Sequence, residues 1–113
     1  MTDCIFCKII DKKLPSKIVF ENSDVIVFEN INPVATTHLL ICPKKHIKSF
    51  LDMGTDFSLD KMTEAAKIVI KERKIEDGYK LIFNGGKYQS VSHLHWHVLG
   101  GNLEDPDDIL NKL

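Results

Sequence analysis

Residues 91–101 read Val-Ser-His-Leu-His-Trp-His-Val-Leu-Gly-Gly, and this stretch is the strongest indication of the fold. Histidines alternate with apolar residues from His93 onward. Because successive side chains of a β-strand point to opposite faces, the pattern predicts a strand over 91–99, closed by Gly100 and Gly101. The three histidines would share one face, spaced by about 7 Å along the strand. The apolar residues between them would pack into the core from the other face.

Four further strands and two helices are predicted from the rest of the chain. Runs rich in β-branched and aromatic residues predict strands at Ile18–Glu21, Val25–Glu29, His38–Cys42 and Tyr79–Asn84. Apolar residues recur every three or four positions in Ser58–Lys74, where Ser58 can cap a helix, and Cys4–Ile10 can form one or two helical turns. This order predicts an α+β fold with an antiparallel sheet of about five strands, one long helix and a short N-terminal helix, in a single domain over residues 1–113.

The overall composition narrows the classes of function. The 113 residues carry 15 basic and 16 acidic side chains. The chain therefore lacks the excess of positive charge that would indicate nucleic-acid binding. No stretch is long and apolar enough for a transmembrane helix, and the N-terminus lacks the pattern of a signal or transit peptide. Three cysteines, an odd number, fit a reducing compartment better than a disulfide-bonded secreted protein. We therefore expect a cytoplasmic protein that binds neither nucleic acid nor membranes.

The histidine cluster points to a chemical role. Three neighbouring imidazolium groups would repel one another, so the histidines must be largely neutral, bound to metal or facing an anion. A metal site and nucleophilic catalysis are both consistent with the residues alone. Cys4-x-x-Cys7 has the spacing of half a zinc site, although a redox dithiol has the same spacing. A structural zinc ion needs four ligands, and histidine is the natural candidate for the remaining two.

Three motifs occur together in this chain. They are the triad His93-x-His95-x-His97, the segment Cys-Ile-Phe-Cys-Lys-Ile-Ile at 4–10 and the segment Thr-His-Leu-Leu-Ile-Cys-Pro-Lys-Lys-His at 37–46. Their combination, over roughly residues 4 to 101, resembles the histidine triad family, and within it the Hint-like branch with a zinc-binding CxxC pair. The resemblance implies an α+β protein that dimerises into a continuous sheet. It also implies binding of a purine nucleotide and hydrolysis of the bond between its α-phosphate and a leaving group, which is usually an amine in the Hint branch.

The resemblance also implies roles for individual residues. His95 would attack phosphorus and form a nucleotidyl-histidine intermediate that water then hydrolyses, since neutral imidazole is a competent nucleophile near neutral pH. His97 would bind phosphate and help to protonate the leaving group, and Ser90 would hydrogen-bond the phosphate or the leaving group. The implied nucleotide-binding residues are Ile5, Phe6, Ile9, Leu14, Phe28, Asn30, Ile31, His38 and Asn84.

A zinc site follows from the same resemblance. In zinc-binding members the CxxC pair, a later histidine and the first triad histidine hold the metal. Carried over to this chain, the ligands are Cys4, Cys7, His46 and His93. A zinc ion with four protein ligands has no open position for catalysis, so its role would be structural and would include orienting the neighbouring nucleophile.

Three features depart from the usual pattern of the family. Asn30 stands where members usually carry an acidic residue that binds the ribose hydroxyls, so ribose binding should be weaker or altered. The loop before Gln89 is short, and its Lys87 offers a charge near the phosphate. The C-terminal residues 102–113 lack the tryptophan-bearing tail that crosses the family's dimer, which leaves the substrate preference open.

Two other functions are alternatives. The first is a low-turnover module that binds a nucleotide or a partner and is stabilised by zinc; Asn30 and the altered loop motivate it, whereas the intact His95, His97 and Ser90 argue against it. The second is a dinucleoside polyphosphate hydrolase. Members of that branch tend to have a glutamine near the end of the triad motif and a longer chain, which this sequence lacks.

Overall fold

The structure is a computed structural model that describes residues 3–103. Its helices are α1 (Ile5–Ile10) and α2 (Leu59–Glu72), with short 3-10 helices at Phe50–Asp52 and Gly86–Tyr88. Its strands are β1 (Ile18–Glu21), β2 (Val25–Glu29), β3 (Ala35–Pro43), β4 (Tyr79–Ile82) and β5 (Trp96–Leu103). None of the helices in this range has the length and apolarity needed to cross a membrane. Residues 1–2 and 104–113 of the predicted domain lie outside the described residues. The same is true of most of the altered C-terminal segment, at 104–113.

All five strands form one antiparallel sheet in the order β1-β2-β3-β5-β4. The prediction of an α+β fold with five antiparallel strands, one long helix and a short N-terminal helix is confirmed. The first three strands pair in sequence order, and α2 then leads to the edge strand β4. Strand β5, which begins within the histidine motif, is therefore inserted between β3 and β4.

The two α-helices cover opposite faces of the sheet. In β3, Leu39 and Ile41 pack in the cluster that contains α2, whereas Leu40 and Cys42 pack in the cluster that contains α1. His97 on β5 is paired directly with Leu40, and directly opposed residues of neighbouring strands share a face. His97 therefore lies on the α1 face, and the long helix packs on the other side.

The boundaries of β5 differ from the prediction. The strand begins at Trp96, later than predicted, because residues 91–93 form a bend and the backbone N–H of Leu94 then donates to the Ile47 carbonyl (2.7 Å). The strand also continues through both glycines to Leu103, where it pairs with the first residues of β3. Alternation of side chains therefore predicted the faces correctly but not the hydrogen-bonding partners.

The start of β3 also differs from the prediction. It begins at Ala35, inside the predicted loop 30–37, because the longer β5 supplies backbone partners as far as Leu103. A register shift just after Ala35 interrupts this pairing. Gly101 lies within the interruption with a φ of +75°, and a Cβ atom there would lie only 2.8 Å from the Cβ of Thr36.

The C-terminal ends of β4 and α2 differ slightly from the prediction. Strand β4 ends at Ile82 and not at Asn84, because its pairing with β5 stops there. Helix α2 ends at Glu72, before Lys74, whose φ of 58° is in the left-handed region that ends helices. The predicted cap of α2 is present, since the side chain of Ser58 accepts a hydrogen bond from the first turn.

Candidate functional site

The three triad histidines are buried side by side beneath α1, and each is 5 % exposed or less. Only His97 belongs to β5; His93 lies in the bend that precedes the strand, and His95 lies between the bend and the strand. Leu94 and Trp96 nevertheless pack into the cluster on the opposite face, as the alternation predicted. Helix α1 covers the histidines through Phe6, whose ring centroid lies 5.1 Å from that of His95 in an edge-on contact.

The predicted metal ligands are brought together in the structure. Their ligand atoms, the thiols of Cys4 and Cys7 and ring nitrogens of His46 and His93, all lie within 4.8 Å of one another. The ring Nε2 of His93 donates to the Pro43 carbonyl (2.8 Å), so its Nδ1 carries the free lone pair. That Nδ1 lies 3.4 Å from the sulfur of Cys4 and 3.2 Å from Nδ1 of His46. Two thiols and two imidazoles at this spacing are a donor set typical of tetrahedral zinc.

Three separate segments supply these ligands. Cys4 is the N-cap of α1, and its sulfur accepts from the backbone N–H of Cys7 (3.3 Å) one turn later. His46 follows β3, and His93 lies in the bend before β5. Burial, and then the neighbouring Cys4 thiol, raise the pKa of Cys7 to about 11. A divalent cation would replace the thiol protons, because thiolates are the metal-binding form.

His95 has one ring nitrogen fixed and the other free. Its Nδ1 donates to the backbone carbonyl of His93 (2.7 Å). A carbonyl can only accept, so the proton is on Nδ1 and the lone pair is on Nε2. Burial lowers the pKa of His95 below its ordinary value, which keeps the ring neutral near pH 7. The side chain therefore presents a neutral nucleophilic nitrogen.

A chain of hydrogen bonds fixes the proton of His97 on Nε2, the opposite ring nitrogen from the one that is protonated in His95. The backbone N–H of Val34 donates to Nδ1 of His38 (3.1 Å), so the proton of His38 is on Nε2. This Nε2 donates to Nδ1 of His97 (2.9 Å), which leaves the proton of His97 on its own Nε2. Burial lowers the pKa of His38 to about 4 and, with the neighbouring His95, that of His97 to about 3. The buried Nε2–H of His97 has no partner within residues 3–103.

The two rings together present complementary groups. The ring centroids of His95 and His97 are 5.0 Å apart, and both side chains line the same cavity. A free lone pair thus lies beside an unpartnered N–H donor. This pair can attack an electrophilic centre while hydrogen-bonding an oxygen on that centre, as a phosphoryl group requires.

The cavity has a volume of about 520 Å³ and is mainly apolar. The rings of Phe6 and Phe28 meet edge to face in its wall, with centroids 5.4 Å apart. The predicted site residues that line it are Ile5, Phe6, Ile9, Leu14, Phe28, Asn30, Ile31, Ser90, His95 and His97. Its size and lining suit an aromatic base and the sugar attached to it.

Other predicted residues do not line this cavity. His38 lies behind His97 and acts on it through the hydrogen bond described above. Asn84 lies beyond the end of the edge strand β4. Lys87 lies over the ring of Tyr88, 5.3 Å from its centroid, and is not part of the cavity wall.

Sequence reasoning missed several lining residues: Pro15, Ser16, Glu29, Asn32, Leu40 and Val91. Leu40 had a usable signal, because it lies two residues after His38 and shares its face of the strand. Pro15 and Ser16 had none, since their approach to the cavity depends on how the segment after α1 folds back.

Asn30 is bound within its own loop. Its Oδ1 accepts from the backbone N–H of Asn32 (2.8 Å), so one of the two lone pairs of its amide oxygen is already used. Its Nδ2 lies 3.2 Å from Nε2 of His38. Since that ring nitrogen carries a proton, two donors face each other, whereas a carboxylate at this position would accept. The amide therefore offers N–H groups and a single uncharged lone pair to a bound sugar, where a carboxylate would offer several charged ones.

Comparison with known proteins agrees with this geometry. Residues 3–109 match the family model described as "Scavenger mRNA decapping enzyme C-term binding". A HIT family hydrolase from Clostridium thermocellum superposes with a TM-score of 0.85 at 42% identity, covering 89% of this chain and 92% of that one. This chain belongs to the histidine triad family. At this level of description it is a histidine triad hydrolase with a cluster compatible with metal binding.

Two curated relatives of this histidine triad protein have informative names. The purine nucleoside phosphoramidase of Escherichia coli is 42% identical over 109 residues, which cover 92% of each chain. The 14 kDa zinc-binding protein of Zea mays is 42% identical over 106 residues, covering 86% of this chain and 80% of that one.

The buried histidines make stability depend on pH. An unfolded histidine titrates near pH 6.5, whereas the folded pKa is about 4 for His38 and about 3 for His97. On acidification the unfolded chain binds these protons first, so the free energy of unfolding is expected to decrease as the pH falls from about 6.5 to about 4. The substitution His38→Asn removes one such group and should reduce the slope by up to about 1.4 kcal/mol per pH unit. Urea denaturation at several pH values measures both slopes, and equal slopes would contradict the buried neutral state of His38.

Proposed function

We propose that this histidine triad hydrolase cleaves purine nucleoside 5′-phosphoramidates and releases a nucleoside 5′-monophosphate and an amine. The observation that carries the proposal is the free lone pair on Nε2 of His95, at the cavity wall beside the N–H of His97. The 42% identity to a purine nucleoside phosphoramidase supports the substrate class.

In the first step Nε2 of His95 forms a bond to the α-phosphorus while the P–N bond breaks. The leaving nitrogen keeps the electron pair of that bond and takes up one proton. The second step reverses the exchange, because water attacks phosphorus, the bond to His95 breaks and the water proton returns to solvent. Covalent catalysis of this kind divides one difficult displacement into two easier ones.

The positions of the protons determine which neighbouring side chain hydrogen-bonds the phosphoryl group and which one protonates the leaving nitrogen. His97 donates through Nε2–H to the phosphoryl oxygens, where negative charge increases during attack. A neutral His97 that gave up this proton would become an anion, since its Nδ1 already accepts from His38. We therefore assign proton delivery to the hydroxyl of Ser90, an exposed residue on the same cavity wall. The hydroxyl passes its proton to the leaving nitrogen while it takes one from a neighbouring water molecule, so the serine stays neutral and the proton is supplied by solvent.

One observation favours the alternative of a low-turnover binding module. The side-chain oxygen of Asn30 already accepts from the backbone of Asn32, so only one uncharged lone pair remains at this point for the hydroxyls of ribose. A nucleotide held loosely at its sugar would reach the attacking geometry less often. Turnover by the wild-type protein separates this module from the hydrolase.

The activity test compares wild-type protein with His95→Ala on adenosine 5′-phosphoramidate. Wild type should release AMP, and the variant should be slower by at least about 10³-fold because the nucleophile is gone. Chromatography of the released AMP measures both rates, and circular dichroism checks that the variant is folded. Binding of AMP without turnover by wild type would instead support the module, and equal rates would exclude His95 as nucleophile.

We also propose that the cluster of Cys4, Cys7, His46 and His93 holds zinc. Zinc bound there would supply structural stability, because it would join α1, the segment after β3 and the segment that carries the nucleophile. The name of the Zea mays relative supports the choice of metal. The cysteines are free thiols, which suits both zinc binding and the cytoplasmic location expected from the sequence.

Removing a zinc ligand should remove the metal and lower stability. Wild-type protein should contain about one zinc ion per chain, and Cys7→Ser should contain a small fraction of that and unfold at a lower temperature. Cys42→Ala is the matched control for metal content, because Cys42 is a buried core thiol that is not one of the four clustered ligands. Mass spectrometry measures the zinc content of each protein. Wild-type protein without zinc, or Cys7→Ser with one zinc ion per chain, would contradict the proposal.

We further propose a homodimer that pairs two copies through β4. This strand lies at the edge of the sheet, and its neighbourhood exposes Tyr79, Leu81 and Phe83. An open edge with exposed apolar side chains is suited to pairing with another strand. Sedimentation should show a dimer at micromolar concentration for wild type and a shift to monomer for Leu81→Glu. A wild-type monomer would contradict the dimer.

A further inference from the structure

A second cavity adjoins the nucleotide cavity and is not used by the steps described above. Its volume is about 460 Å³. Three residues, Ile5, Ser90 and Val91, line both cavities and form a common wall. Of these, Ser90 is the polar one, and it is the residue to which proton delivery is assigned. The second cavity therefore begins where the group expelled from phosphorus would depart.

The charge lining this cavity comes from Lys48 and Asp3. Gln89 fixes Lys48 next to the common wall, because its side-chain Nε2 donates to the backbone carbonyls of Lys48 (2.7 Å) and Val91 (2.8 Å). Neither Lys48 nor Asp3 forms an ion pair within residues 3–103. The ammonium group of Lys48 is thus available to a ligand.

Two hydroxyl groups and the proposed metal ligands Cys4 and His46 complete the polar lining. Ser90 and Ser92 lie on the same bend, two residues apart, and both line the second cavity. Hydroxyls and an ammonium group are suited to a carboxylate, which accepts several hydrogen bonds and pairs with a cation. An amine that carries a carboxylate, as amino acids and peptides do, has this combination of a leaving nitrogen and an anion.

We propose that the second cavity binds the leaving group of the substrate, and that Lys48 selects leaving amines that carry a carboxylate. The inference rests on the proposed phosphoramidase activity. The nucleoside occupies the apolar cavity and the phosphoryl group lies between His95 and His97. The leaving amine then extends past Ser90 toward Lys48, and the carboxylate of Asp3 partly offsets the preference for an anion.

Three adenosine 5′-phosphoramidates of equal length provide the test: those of β-alanine, propylamine and ethylenediamine. They end in a carboxylate, a methyl and an ammonium group. The intrinsic ease of departure differs among these amines, so the quantity compared is the kcat/KM ratio in a variant divided by the same ratio in wild type. That quotient cancels the chemistry of the leaving group and retains the contribution of the changed side chain.

Lys48→Gln should lower the preference for β-alanine over propylamine by about two- to fivefold, the range expected for a solvent-accessible ion pair. Lys48→Glu should lower it further and favour ethylenediamine, whereas Asp3→Asn should raise it. Lys61→Gln is the matched control, because Lys61 pairs with Asp24 outside both cavities and its loss should leave the ratio unchanged. A ratio that does not respond to Lys48, or that responds equally to Lys61, would overturn the proposal.

Binding measurements distinguish failure of this inference from failure of the activity. Calorimetric dissociation constants of the three compounds for His95→Ala, with and without Lys48→Gln, give the same comparison without turnover. Absence of wild-type turnover would reject the phosphoramidase. A Lys48-dependent ratio of dissociation constants would then still support the second cavity as a carboxylate site, and a Lys48-independent ratio would reject it.

Discussion

Four histidines are buried between the sheet and α1, and backbone groups decide where their protons lie, directly for three of them and through the ring of His38 for His97. The N–H of Val34 donates a hydrogen bond to the lone pair on Nδ1 of His38, and the carbonyl of His93 accepts a hydrogen bond from the N–H at Nδ1 of His95. Burial disfavours the charged form of each ring, so each keeps a single proton with a defined position. Without these backbone contacts the two tautomers of each ring would be close in energy, and the site would lack a defined nucleophile and a defined donor.

This constraint explains why the chain leaves the sheet before β5. In a regular strand the carbonyl of His93 would be available to a neighbouring strand, whereas in the bend it accepts from the ring of His95. The same bend directs Nδ1 of His93 toward the thiols of α1 while its Nε2 is held by Pro43. The bend therefore connects the metal cluster to the nucleophile through a single residue.

Much of this arrangement could be predicted from the sequence. The alternation around His95 identified the face that each side chain occupies, and the CxxC pair identified half of the metal cluster. The start of β5 could not be predicted, because an extended segment and a paired strand have the same alternation and differ only in a contact with Ile47, far away in sequence. The part of His38 in fixing His97 was likewise hidden, since it depends on the N–H of Val34 and on the pairing of β3 with β5. Lys48 carried no signal at all, because a lysine in a polar loop is ordinary until the loop is placed beside Ser90.

The positions of the imidazole protons test the central claim most directly. Two-bond ¹⁵N–¹H correlation spectra of protein labelled at histidine, recorded near neutral pH, report the tautomer of each ring. The structure predicts neutral rings throughout, with the proton on Nδ1 in His95 and on Nε2 in His38 and His97. A proton on Nε2 of His95, or a doubly protonated ring at any of the three positions, would contradict the assignment of nucleophile and donor.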